Sequence, residues 1–332
     1  MSFSLRKCCL VGASLLVFGC QAPRDGGAGD GTSAGRVVAA PRPPALASHV
    51  LTYHGGLRKI VLFGGSNPER EMSNALWAWD GRSWSLLSEE GPAPRIHAGL
   101  AYDPKRDRLV LYGGVKNREA SFGDLWEWDG RRWEERTPQG PSPGIRDHHA
   151  LVYDPLSEGV LLFGGQDEVD AYPKETWLWD GAAWKEVAKL GPGPRSTHRL
   201  VYDGHRRRVI LVAGWGPEGQ LGDTWEWDGS AWSEAPSPGP TPRGATRFAY
   251  DETKRQLVLF GGLVGREANG ETWLREGEAW RRLEVSGPPA RNVHAMAFDP
   301  SRQRVVLYGG IGAGGRLDDL WEFEGASWAK IP

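Results

Sequence analysis

The residues of this chain that most invite chemistry recur at one place in a repeating pattern. Arg95, Arg146, Arg195, Arg243 and Arg291 each follow a proline-rich stretch. His97, His148 and His149, His198 and His294 come two or three residues later, with His49 in the matching place before the first. A guanidinium offers a planar fork of donors that suits a carboxylate. Imidazole changes charge nearest to neutral pH and is a frequent metal ligand. Repetition around a closed ring would gather these side chains about one axis, at the mouth of a central channel. Arg95, Arg146, Arg195, Arg243, Arg291, His97, His149, His198 and His294 are therefore the candidate ligand-binding residues. The same repetition also suits a structural bridge between each loop and its neighbour.

Other groups are sparser. Glu168, Asp170, Glu218 and Glu267 fall in irregular loops, where a pair could supply the acid and base of an isomerisation. Trp215 stands at the start of one such loop and is a candidate for stacking on a ligand. All three cysteines, Cys8, Cys9 and Cys20, lie in the first twenty residues. The rest of the chain holds no thiol nucleophile, disulfide or thiolate metal site. With no cysteines or clustered carboxylates at ligand spacing beside the histidines, neither a metal nor another cofactor is expected. Lysine plus arginine number 40 against 42 aspartate plus glutamate, a formal charge of −2. That balance lacks the basic excess of a nucleic-acid partner.

The elements that must position these groups follow from self-similarity. Doubled glycines at 64–65, 113–114, 164–165, 261–262 and 309–310, with Ala213-Gly214 in the missing place, recur at a period of about 50 residues. Each unit reads as four strands; in the second they are HAGLAYD, RLVLYGG, DLWEWDG and RWEER. Asp-Pro turns such as Asp103-Pro104 join strands one and two. Asp-Gly turns such as Asp129-Gly130 join strands three and four. Strand two is apolar almost throughout, as in Ile60-Val61-Leu62-Phe63, and must be covered on both faces. Radially packed blades supply that cover. The fold class is all-β, a six-bladed β-propeller of four-stranded antiparallel blades. Trp77, Trp126, Trp177, Trp225, Trp273 and Trp321 share one register and read as blade packing. The loops between strands two and three are long and differ among units. With the loops joining consecutive units they form one face, and variable loops on a rigid scaffold are where binding residues concentrate. Each blade is contiguous in sequence, so blades one and six are expected to close by side-chain packing alone.

The doubled glycine ending strand two, the aromatic-acidic pair on strand three and the Trp opening strand four resemble the kelch repeat, over about His49 to Pro332. The resemblance implies a propeller and leaves function open, because one fold hosts many. In some kelch propellers equivalent arginines hold the carboxylates of acidic peptides. Others are copper-radical oxidases, a chemistry that needs a Tyr–Cys crosslink this chain cannot make. Exported members that open sugar rings imply an alternative, a periplasmic mutarotase or epimerase.

The first residues read as a leader. Arg6 and Lys7 precede an apolar run from Leu10 to Phe18, too short to span a bilayer. Val17-Phe18-Gly19-Cys20 resembles a bacterial lipobox. The resemblance implies a signal peptide over 1–19, lipidation of Cys20 and a membrane anchor, with Gln21 favouring the outer membrane where two exist. Residues 20–48, rich in Gly, Ala and Pro, read as a flexible tether, and 49–332 as the propeller. The expected role is a binding module of the cell envelope for another protein or a polysaccharide.

Overall fold

The computed structural model describes residues 41–117, 120–236 and 239–332; the leader and Cys20 lie outside them. Six four-stranded antiparallel sheets follow one another along the chain. Blade two runs Gly99–Asp103, Arg108–Val115, Ser121–Trp128 and Trp133–Arg136, and the others repeat it. Strand one of each blade touches strand one of the next, and that of blade six (Ala295–Asp299) returns to that of blade one (Val50–His54). The ring of strand ones surrounds a central channel.

The doubly apolar second strands are covered as expected. Ile60, Val61 and Leu62 have no exposed surface. Six hydrophobic clusters fill the seams between consecutive blades, the last joining Ile60, Leu62 and Trp77 of blade one to Val306 and Tyr308 of blade six. The strand-four tryptophans key these seams. Trp133 meets Phe63 of the preceding blade edge-on at 5.4 Å, and Trp184 meets Tyr112 at 5.2 Å. Aromatic pairs at such separations are stabilising beyond the area they bury.

The turns are built from their acids. Asp103 is buried and accepts hydrogen bonds from the backbone N–H of Lys105 and Arg106; Asp154, Asp203, Asp251 and Asp299 repeat the cap. His54 stands in for the acid in blade one, its Nδ1 accepting from Leu57 N–H.

One expectation is corrected at the closure. Among the described residues no strand is exchanged between the termini, yet residues before Ser48 are hydrogen-bonded to blade six. Leu46 N–H donates to Leu317 O at 3.1 Å, and Gly310 N–H donates to Leu46 O at 2.8 Å. The hydroxyl of Tyr308 reaches the carbonyls of Pro43 and Pro44, and Arg42 pairs with Asp318. The last residues of the stretch read as tether are thus part of the propeller. The reason is positional. Leu46 occupies the place that an arginine holds in every other unit, and its backbone makes the same two bonds.

Candidate functional site

The arginines of the interblade loops lie within the structure and not at the mouth of the channel. Arg95, Arg195, Arg243 and Arg291 are almost wholly buried. In each the backbone is tied to the preceding blade while the side chain turns back into its own. Arg95 forks onto Asp124 at 2.6 and 2.8 Å and also reaches Gly113 O. Asp223, Glu271 and Asp319 serve Arg195, Arg243 and Arg291 in the same way. The arginine beside Asp319 holds its carboxyl low against the opposing effect of burial, as for Asp223. These guanidiniums are bolts that fasten loop to blade. Blade one dispenses with the bolt. Leu46 and Ala75 replace the arginine and its acid, and the two side chains share one apolar cluster.

Arg146 departs from the set. It is buried, but its guanidinium reaches only the carbonyls of Gly164 and Pro143, and no ion pair to it is found among the described residues. It borders a surface cavity of about 520 Å³ with Lys174, Glu175, Glu186 and Lys189.

The histidines divide in two. His49, His149, His198 and His294 are buried against the aromatic residue just before the doubled glycine of the preceding blade: Tyr308, Tyr112, Phe163 and Phe260. Burial, with nearby arginines, lowers all four pKa values, that of His149 to about 3, so they are neutral packing groups at ordinary pH. His97 and His148 sit one residue earlier in the pattern and stack on each other at 3.7 Å. They belong to a belt of Ser48, His97, His148, Thr197, Ala245 and Val293, all non-glycine residues with φ between 47° and 60°. Backbone bonds link them around the axis: His97 N–H to Ser48 O, His148 to His97, Thr197 to His148, Val293 to Ala245 and Ser48 to Val293. Ala245 N–H completes the circuit through the Thr197 hydroxyl. Left-handed backbone at Thr197 and Val293 costs of order 1–3 kcal/mol each and persists only where its surroundings over-determine it. The circuit of bonds does so.

The channel cavity, about 410 Å³, lies on the other side of this belt, and no belt residue lines it. Its walls are the six strand ones, and its rim includes Pro104, Pro155, Pro300 and Glu252 of the turns between strands one and two. It therefore opens on the face opposite the variable loops, where a ligand was not expected. Tyr53, Tyr102, Tyr153, Tyr202, Tyr250 and Phe298 share one register and form an aromatic collar towards that mouth. At the far end two further side chains line it, Arg199 and Arg247. Sequence reasoning passed over both. Their signal was a departure from the pattern. Val50, Gly99, Ala150 and Ala295 hold the same register in the other blades, and only blades four and five place a charge there.

The variable-loop face is carried by rigid extensions. Strands two and three continue outward in blades two and four, and short hairpins follow in blades five and six. Gln220 and Gly265 exchange bonds between blades four and five, and Arg316 of blade six reaches Ser66 of blade one. Trp215 is 37% exposed, and Gly244 of the next blade leaves the space its ring lies over. Glu168, Asp170, Glu218 and Glu267 are exposed on this side and none lines the channel cavity. Across known proteins, no family model matches the chain and no curated protein matches it in sequence.

Proposed function

We propose that the protein is a kelch-type binding module of the bacterial cell envelope, held by a lipid on Cys20, and that its variable-loop face docks another protein or a polysaccharide. The observation that carries this is where exposed apolar surface falls. Of the six large apolar side chains exposed among the described residues, Ile145, Val169, Leu190 and Val285 lie in the loops between strands two and three or between units, and Trp215 lies on the outward extension of strand two. None lies in the tight turns of the opposite face, so the apolar surface open to a partner falls on the variable-loop side. Of the basic run Arg206-Arg207-Arg208 on that opposite face, Arg206 is already paired with Glu226 and Glu278. Capture from an envelope extract tests the reading, using the full chain with Val169→Asp and Trp215→Ala against the wild type. Loss of captured material at an unchanged melting temperature is the expected result. Full retention by both variants places the working surface elsewhere.

A second reading, isomerisation of a sugar ring, is favoured by the channel cavity itself and by Glu252 at its rim. Its side chain is exposed to solvent; partial desolvation at the rim, then the neighbouring Asp203 and Asp251, raise its pKa against the Gly204 N–H that lowers it, the direction a general acid requires. Anomer exchange followed by NMR, abolished by Glu252→Gln, would establish it; exchange at the uncatalysed rate with the wild-type chain would dismiss it.

A further inference from the structure

Two guanidiniums stand inside the channel without a counter-ion. Arg199 and Arg247 open strand one of blades four and five and line the channel cavity. Neither forms an ion pair among the described residues. Arg199 Nη1 donates to His149 O at 3.4 Å, and Arg247 Nη1 to Thr246 O at 2.7 Å. Arg247 is 4% exposed, and its Nε is buried with no partner. Of the other buried arginines, Arg95, Arg195, Arg243, Arg275 and Arg291 each face a carboxylate, and Arg146, away from the channel, is held by two carbonyls.

Blade packing does not require this arrangement. Alanine holds the same register in blades three and six, and the strands there are as regular. Burial lowers the pKa of Arg199 to about 10, and burial first and then the repulsion of Arg199 lower that of Arg247. A buried charge left uncompensated costs several kcal/mol. Two like charges at the floor of one cavity are stabilised together by an anion that takes a fork from each. Around and above them the walls are apolar and the collar is aromatic, a setting that encloses a carbon body and not a bare ion.

We propose that the channel binds a small organic carboxylate, the carboxylate held between Arg199 and Arg247 at the floor and the body enclosed by the tyrosine collar. The site opens on the face opposite the docking loops, so it stands or falls independently of them.

The test is calorimetric titration and thermal melting of the full chain with benzoate and glucuronate. Benzamide and glucose serve as neutral counterparts, and phosphate and sulfate as bare oxyanions. At least one carboxylate should bind and raise the melting temperature, with its neutral counterpart at least tenfold weaker. Arg199→Ala and Arg247→Ala, which install the residue of blades three and six, should each weaken that binding at least tenfold. In low-salt buffer free of these anions, the double variant should melt no lower than the wild type. Arg247→Gln supplies a variant of similar volume should the alanine form fail to fold. Equal binding of carboxylate and neutral counterpart, undiminished binding by the variants, or no binding of any carboxylate would overturn the proposal. Binding of phosphate or sulfate as tight as that of the carboxylates would also overturn it, by showing a site for the bare ion.

Discussion

At the scale of single residues, this protein treats one buried arginine as a removable part. In four blades a buried guanidinium is held by a part-buried carboxylate, fork to fork or by one strong bond. Blade one replaces both with Leu46 and Ala75 and keeps the same backbone bonds. A buried ion pair and a well-packed apolar pair are often close in free energy, whereas half of an ion pair is not. We therefore predict that Leu46→Arg alone destabilises by about 3–5 kcal/mol, the range for an unpaired buried charge. Adding Ala75→Asp should recover a large part of that loss. Urea unfolding of the two single variants and the double variant gives the coupling energy. Additive losses would show that blade one has lost the geometry of the bolt as well as its residues.

At the scale of the element, the start of strand one decides how the fold responds to acid. His49, His149, His198 and His294 are neutral and buried there, with the folded pKa of the first two near 3. In the unfolded chain each titrates near 6.5. Between these values the unfolded state binds protons that the folded state does not. Stability is accordingly full above about pH 6.5 and is lost as the pH falls below it. Each such histidine contributes a slope of about 1.4 kcal/mol per pH unit. Thr246 holds the same register in blade five, so His149→Thr is a substitution the fold already accommodates. It should make the dependence of unfolding free energy on pH, measured between pH 7.5 and 5, shallower by an amount that grows to about one proton at the acid end. An unchanged slope would mean that His149 titrates alike in both states.

At the scale of the whole molecule, the seam between blades one and six depends on a short strap. Residues 41–47 join the first blade to the last through Leu46, through the Tyr308 hydroxyl and through Arg42. Leu46 is 1% exposed, and losing a buried leucine costs about 2–5 kcal/mol. Deleting residues 41–47 should lower the melting temperature by roughly 5–10 °C. Deleting residues 21–40 should leave it unchanged. A strap deletion that melts like the full chain would show that side-chain packing closes the ring unaided.

The sequence by itself determined what is repeated. Doubled glycines, Asp turns and tryptophans in register prescribe four strands per unit, because each answers a local demand of turn geometry or two-sided burial. Six copies of one unit with doubly apolar second strands leave little choice but a closed ring of blades. It did not determine where the repeated side chains point. Arg95 and its counterparts look alike whether they face a channel or an aspartate almost thirty residues later, and only the packed blade shows Asp124 within reach. The cavity was invisible for a related reason. Its walls come from six separate strands, and the belt that separates it from the loop face is made of hydrogen bonds between residues of neighbouring blades, far apart in sequence. Arg199 and Arg247 acquire meaning only when strands one of blades four and five are set side by side, where two charges with no ion-pair partner among the described residues face one channel.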